Sequence, residues 1–234
     1  MAEELVRYEK RGEAALIQFD DGKVNAISHA LLDALNAALD RAADDAKALA
    51  LVGRPGCFSA GFHLGTMRGG GAAVGQLVGA GARLAMRLYE SEQPVVLACS
   101  GHAVAIGAIL LLSGDLRLGS AGEFRIGMNE VAIGLPLPRF AIDFARERLS
   151  KRHFSRATTL AEIYTPGSAV DAGFLDRVVA PEVLIDQAVT EAQRLAGLPG
   201  AAHAATKRRI RSELLARMRS ELDADMEKMG AVPS

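Results

Sequence analysis

Cysteine is scarce, net charge is almost absent and long apolar runs are missing, and each shortage excludes a class of protein. The two cysteines, Cys57 and Cys99, lie in separate segments with no CxxC or Cys/His ligand spacing. A disulfide scaffold and a structural zinc site therefore lack support, and reduced, partly buried thiols are expected. Lys+Arg 27 against Asp+Glu 28 leaves a formal charge of -1, so no basic surplus is available to hold nucleic acid or an anionic membrane surface. The longest apolar run, residues 103–113, is too short to span a bilayer, and the stretch from Met1 to Arg7 carries no apolar signal core. A soluble, cytoplasmic protein with neither nucleic-acid nor membrane partner is the expectation. Phosphate-loop motifs are missing too. The stretch Arg68-Gly69-Gly70-Gly71-Ala72-Ala73-Val74-Gly75 matches neither GxGxxG nor the Walker pattern, and it reads as a mobile loop.

What is present suits one domain with a large core, since 234 residues are few for two independent ones. Apolar runs at 14–19 and 48–53 flank a helical pattern over 28–43, in which Ser28 precedes Leu31, Leu32, Leu35, Ala38, Leu39 and Ala42 at three- and four-residue spacing. That is a β-α-β reading with a side-chain cap. A further run at 94–99 leads through Ser100-Gly101-His102 into residues 103–113, read as a buried helix. Residues 115–118 and 123–126 read as short strands between glycine turns. From Ala141 onward the pattern is helical at 155–162, 168–173, 181–196 and 201–229, with one strand at 177–179. A parallel-sheet core over 1–190 and a helical region over 191–234 of the same domain follow. The last helix suits packing either on its own domain or on a neighbouring subunit.

Two segments have the form needed to stabilise an oxyanion, which requires preorganised N–H donors rather than a particular side chain. They are Cys57-Phe58-Ser59-Ala60-Gly61-Phe62-His63-Leu64 and Ser100-Gly101-His102-Ala103-Val104-Ala105-Ile106-Gly107. In the second, small residues let a ligand approach the first turn of a helix, where N–H groups are unpaired.

These residues also carry a family resemblance. The segment from Phe58 to Leu64 resembles the F-x-A-G-x-D-L stretch of the crotonase (enoyl-CoA hydratase/isomerase) family, and the one from Pro94 to Gly107 is similar to its second glycine-rich stretch. Ile126-Gly127-Met128-Asn129-Glu130 through Leu135 resembles the family's P-E segment, closest to the I-G-L-N-E form of the mitochondrial-type 3,2-enoyl-CoA isomerases. Ala169 through Val179 is similar to a later family motif. The resemblance implies an α/β fold built as a spiral of β-β-α units with a helical trimerisation region, a homotrimer or a hexamer as the assembly, and an acyl-CoA thioester as substrate. It implies no cofactor beyond the coenzyme A of that substrate, and no metal. By position, the oxyanion donors would be the N–H groups of Phe62 and Ile106, and Glu130 would be the acid/base. Lys23, Val24, Ala26, Ala60, Gly61, Leu64, Gly107 and Leu135 would line the substrate site.

Departures from the family pattern choose among activities. Hydratases of the family position water between two glutamates, and the position of the first is held here by Ile109, or by Ala108 or Leu110 if the alignment slips. A lone Glu130 suits a proton shuttle that converts 3-enoyl-CoA to 2-enoyl-CoA. A hydratase recruiting another carboxylate, such as Asp143 or Glu162, is the alternative enzyme, and a silent acyl-CoA-binding paralogue is the non-catalytic one. His63 in place of the usual Asp, and Ala105-Ile106 in place of two glycines, predict an altered acyl pocket.

Blander readings stand beside these. Away from the resemblance, Glu130 is an exposed carboxylate beginning a turn. His102 is a hydrogen-bonding or packing residue, His63 a solvent-exposed one or a contact for the CoA nucleotide, and Asp115 a turn residue. The basic run Lys207-Arg208-Arg209-Ile210-Arg211 reads as a solvated helix face before it reads as a contact for CoA phosphates.

Overall fold

Short runs of small and β-branched apolar residues set the architecture, which a computed structural model describes over residues 5–230. Met1 to Glu4, and residues 231–234 of the region expected at 191–234, lie outside the described residues. Strands β1 (Val6–Arg11) and β2 (Ala14–Phe19) form an antiparallel hairpin, and helix α1 (His29–Asp45) carries the chain over to β3 (Ala48–Val52), parallel to β2. The Ser28 side chain accepts a hydrogen bond from the Leu31 N–H at 3.2 Å, a cap worth about 1 kcal/mol. Parallel strands β5 (Val95–Cys99), β7 (Leu116–Ser120) and β9 (Arg177–Val179) complete a six-stranded sheet of order β1-β2-β3-β5-β7-β9. β3 and β5 are buried along their whole length, as a parallel sheet covered on both faces requires. Ile17, Leu49, Leu51 and Leu97 face the main core, while Leu16, Ala50, Val52 and Val96 pack against Leu184, Ala188 and Ala192 on the other face.

A second, three-stranded parallel sheet is made of β4 (Gly56–Ser59), β6 (Gly101–Val104) and β8 (Ile126–Gly127). Each of these follows a strand of the large sheet, and a helix then returns the chain: α2 (Leu64–Arg68) and α3 (Gly71–Glu90) after β4, α4 (Ile106–Leu111) after β6, and α5 (Arg139–Arg148) after β8. That is the expected spiral of β-β-α units. The small sheet is closely packed. A Cβ on Gly101 would lie 2.0 Å from the Gly56 carbonyl carbon, so only glycine fits there. Helices α6 (Lys151–Thr158), α7 (Pro166–Ala172), α8 (Leu184–Ala196) and α9 (Gly200–Gly230) finish the chain. α9 lies chiefly on α3 and also on α5, burying Leu215, Met218, Leu222 and Met226. Among the described residues no helix is long and apolar enough to cross a membrane.

Several expectations are corrected. The glycine-rich stretch is not a loop: Arg68 ends α2, and Gly71 to Gly75 open the 20-residue helix α3. Gly75 serves close packing, because a Cβ there would come 2.8 Å from the Met226 carbonyl oxygen of α9, whereas Gly70 and Gly71 have open space around them and supply the positive φ (64° and 58°) with which the chain enters α3. The run 103–113 is not one helix, because Ala103 and Val104 belong to β6 and only 106–111 are helical. The short strand expected at 123–126 is confined to Ile126 and Gly127. The basic run is not a solvated face throughout, since Lys207 and Arg211 are buried against Asp115 at 2.6 and 2.8 Å. Asp115 is therefore an ion-pair centre as well as a turn residue; its Oδ2 also accepts from the Val95 N–H at 2.7 Å.

Candidate active site

The three strands of the small sheet run parallel, and the residues singled out in the sequence lie just past their C-terminal ends. Phe62 comes three residues after β4, Ile106 two after β6 and Glu130 three after β8. The C-terminal edge of a parallel sheet is where loops and helix N-termini gather, and with them ligand sites.

Asn25 and Ser59 hold the first loop. Asn25 is fully buried in a left-handed conformation (φ 51°) that asparagine tolerates. Its Nδ2 donates to the carbonyls of Phe19, Cys57 and Phe58, and its Oδ1 accepts from the Asp21 N–H at 2.9 Å. The Ser59 hydroxyl donates to the Asn25 carbonyl at 2.8 Å and accepts from the Gly61 N–H at 3.3 Å. Backbone bonds from Ala60 to Val24, from Ile27 to Gly61 and from His63 to Ile27 tie residues 24–27 to 60–63. Phe62 sits in the middle of this ladder, yet among the described residues its N–H donates to no carbonyl or side chain. Sequence reasoning missed the bracing role of Asn25 and Ser59; a polar pair amid apolar neighbours was the available signal.

The second loop is strained. Ala105 has φ 54° and ψ -126°, a conformation costing a residue with a Cβ about 1–3 kcal/mol. The strain has a structural effect. Ala105 donates its N–H to the Gly127 carbonyl at 3.0 Å, and α4 starts at the next residue. As the first residue of α4, Ile106 has no intrahelical acceptor for its N–H, and none from elsewhere among the described residues. The two loops meet: a Cβ on Gly61 would be 3.4 Å from Ala105 Cβ, and one on Gly107 2.5 Å from the Ser59 carbonyl oxygen. The Phe62 ring and the Ile106 side chain both press on Gly81 of α3.

Glu130 follows β8 and opens a short 3-10 turn, Val131–Ile133, in which the Leu135 N–H bonds back to the Glu130 carbonyl at 2.9 Å. Its Oε2 is buried without a hydrogen-bond partner among the described residues, as is the neighbouring Asn129 Oδ1. Burial pushes the Glu130 carboxyl up to about 7, the range that suits a group gaining and losing a proton near neutrality. Glu130 is thus not the exposed turn carboxylate of the blander reading. Val131 and Ile133 beside it are exposed apolar residues, as are Val24 and Leu64 on the first loop. Lys23 and Ala60 are exposed and Ala26 and Leu135 half-buried, whereas Gly61 and Gly107 are buried.

Other candidates fall away on geometry. Ile109 is buried in the apolar core. Asp143 pairs with Arg217 at 2.9 Å and Glu162 with Arg156, so both proposed second carboxylates are engaged elsewhere. His102 Nδ1 accepts from the Arg125 N–H and the ring stacks edge-on with Phe124. His63 is exposed and caps α2. Burial raises the Cys57 and Cys99 thiols to about 11 and about 12, respectively, which leaves them unreactive. Concavity alone points elsewhere, since a cleft of about 380 Å³ lined by Arg54 and Ile185 contains neither Glu130 nor the two amides. The buried carboxyl with its unpaired Oε2 and the unpaired N–H groups are the stronger signal.

The family model described as enoyl-CoA hydratase/isomerase matches residues 9–233. The chain belongs to that family. Its fold is the crotonase fold. The structure of an enoyl-CoA hydratase/isomerase family protein from Pseudomonas syringae superposes with a TM-score of 0.94 at 41% identity, covering 98% of this chain and 100% of that one. A Mycobacterium tuberculosis structure described as an enoyl-CoA isomerase gives a TM-score of 0.90 at 40% identity, covering 95% and 97%. Another structure of that same mycobacterial protein is described as a hydratase, so family names alone do not separate the two activities. Human mitochondrial enoyl-CoA delta isomerase 1 is 28% identical over 228 residues, 95% of this chain and 76% of that protein.

Proposed function

We propose that this family member shifts the double bond of a 3-enoyl-CoA to give the 2-enoyl-CoA, with Glu130 as its only acid/base. The observation that carries this reading is the lone, largely desolvated Glu130 carboxyl, whose Oε2 has no hydrogen-bond partner among the described residues, with an apolar residue where a second carboxylate would stand. In its ionised form Glu130 takes a proton from C2 of the 3-enoyl thioester. The electron pair moves onto the thioester oxygen, which the N–H groups of Phe62 and Ile106 stabilise as it gains charge. The protonated Glu130 then returns the proton to C4, and the double bond ends between C2 and C3. No water is activated and the carboxyl is restored. Lys23, Val24, Ala26, Ala60, Gly61, Leu64, Gly107 and Leu135 are assigned to the walls of this site. In this reading the molecule works as an oligomer, a trimer or a pair of trimers.

Incubating the protein separately with 3-enoyl-CoA and 2-enoyl-CoA tests the assignment. The expected result is 2-enoyl-CoA from the first and negligible 3-hydroxyacyl-CoA from the second. Rapid hydration of the 2-enoyl ester would overturn it in favour of a hydratase. Thioester binding with no turnover and no α-proton exchange would establish a silent binding protein instead.

A further inference from the structure

β8 is only two residues long, yet it delivers the chain to Glu130, and it is held along both edges. On the inner edge the Arg125 and Gly127 carbonyls accept from the Ala103 and Ala105 N–H groups, at 2.9 and 3.0 Å. On the outer edge the segment between α6 and α7 runs antiparallel, and Ile126 and Tyr164 exchange both backbone hydrogen bonds, at 2.9 and 2.8 Å. The fit is close: a Cβ on Gly127 would come 2.9 Å from the Glu162 carbonyl oxygen and 3.0 Å from Ile163 Cδ1. Ala161, just before these residues, has φ 48°, a left-handed conformation that a residue with a Cβ keeps only where its surroundings enforce it.

Tyr164 anchors this outer segment. It is buried, and its ring packs on those of His153 in α6 and of Phe174, with centroids 5.5 and 5.6 Å away. Arg152 Nη2 lies 3.3 Å from His153 Nε2. A guanidinium only donates, so Nε2 accepts, and the buried His153 gives its Nδ1 proton to the Tyr164 oxygen at 3.2 Å. A buried polar pair satisfied in this way fixes one arrangement of the elements that share it. Neither residue has a part in the chemistry assigned to Glu130.

We propose, on the reading of Glu130 as the acid/base, that Tyr164 is its positioning residue. By clamping the outer edge of β8, Tyr164 sets how deeply the Glu130 carboxyl is buried. It also sets the spacing between that carboxyl and the Ile106 amide, because the residue before Ile106 is bonded to the inner edge of the same strand. Burial, with no charged neighbour contributing, raises the Glu130 carboxyl to about 7. Loosening the clamp admits water and lowers it toward the ordinary value.

The test pairs a ¹³C NMR titration of the Glu130 carboxyl, its resonance identified by its loss in Glu130→Gln, with steady-state turnover of 3-enoyl-CoA by the intact protein. Tyr164→Ala removes the ring and the hydroxyl. It should lower the Glu130 midpoint by about one pH unit or more and kcat by about 10-fold or more, with KM little changed. Tyr164→Phe keeps the ring and loses only the bond to His153. It should move both quantities the same way by less, about half a unit and about three-fold, and it carries the test if the alanine variant does not fold. A lower Tm with the Glu130 midpoint and kcat unchanged in the variants that fold overturns the proposal, because Tyr164 then serves stability alone. A shifted midpoint in a protein that turns over no 3-enoyl-CoA supports the clamp and sinks the isomerase reading instead.

Discussion

Gly61 lies against Ala105, close enough that a Cβ on the glycine would stand 3.4 Å from the alanine Cβ. This contact locks together the two loops whose next residues, Phe62 and Ile106, hold the unpaired amides. Gly61 also has φ +113°, which a residue with a Cβ rarely adopts. Gly61→Ala must therefore re-aim the Phe62 N–H. Loss of one oxyanion donor typically costs about 10²–10³ in kcat. A fall of at least about 10² in kcat, with the chain still folded by circular dichroism, is expected.

Ala105 makes the opposite prediction. Relief of its backbone strain, about 1–3 kcal/mol, outweighs the extra unfolded-state freedom of glycine, about 0.5–1 kcal/mol. Ala105→Gly should then stabilise the protein by about 1 kcal/mol in denaturant unfolding. Activity should stay within a few-fold of the parent, because Ile106 keeps its place at the start of α4.

Some of this was legible in the residues and some was not, for physical reasons. α1 could be read because its apolar stripe and Ser28 cap agree. α3 was missed because glycines at 69, 70, 71, 75, 79 and 81 suggest a loop, although Val74, Leu77, Val78, Ala82, Ala85 and Leu88 keep helical spacing and are all buried. Gly75 and Gly79 make room for Met226, more than 140 residues away, and a packing demand at that range leaves no local trace. Residues 103–113 were read as one helix because a buried strand and a buried helix share the same unbroken apolar run; the break at Ala105 is a backbone conformation, which composition does not encode. Glu130 was found through its motif, but its burial and missing partner are tertiary facts. The same holds for Lys207, whose pairing with Asp115 spans 92 positions.

Gly81 offers a way to disturb the site from outside it. A Cβ there would meet the Phe62 ring at 2.7 and 2.8 Å. In an ordinary helix position glycine to alanine gains about 1 kcal/mol, whereas a clash in a packed core costs about 1–3 kcal/mol. The flexible end of Phe62 can yield, so Gly81→Ala should change stability by less than about 1 kcal/mol. Shifting the ring moves the Phe62 backbone, and kcat should drop about 10-fold or more. An unchanged kcat would mean that ring and amide are not mechanically coupled.

Glu130 links activity to stability with opposite signs. Its folded pKa, about 7, lies above the ordinary carboxyl value of 4.5. Between those pH values the folded chain holds a proton that the unfolded chain has released, so stability must fall as pH rises through that window and level off above it. Glu130→Gln removes the ionisation. The variant should match the parent near pH 4.5 and exceed it by on the order of 2 kcal/mol at pH 8, since each pKa unit corresponds to about 1.4 kcal/mol and part of Glu130 remains near solvent. The proposed reaction uses the ionised form of Glu130 as base, so kcat/KM of the parent should rise with pH to a plateau, with its midpoint near 7. The glutamine variant should lose activity by about 10²–10⁴, with no pH-dependent remnant. A variant that is inactive yet no more stable at pH 8 than at pH 5, relative to the parent, would show that burial does not hold the Glu130 proton.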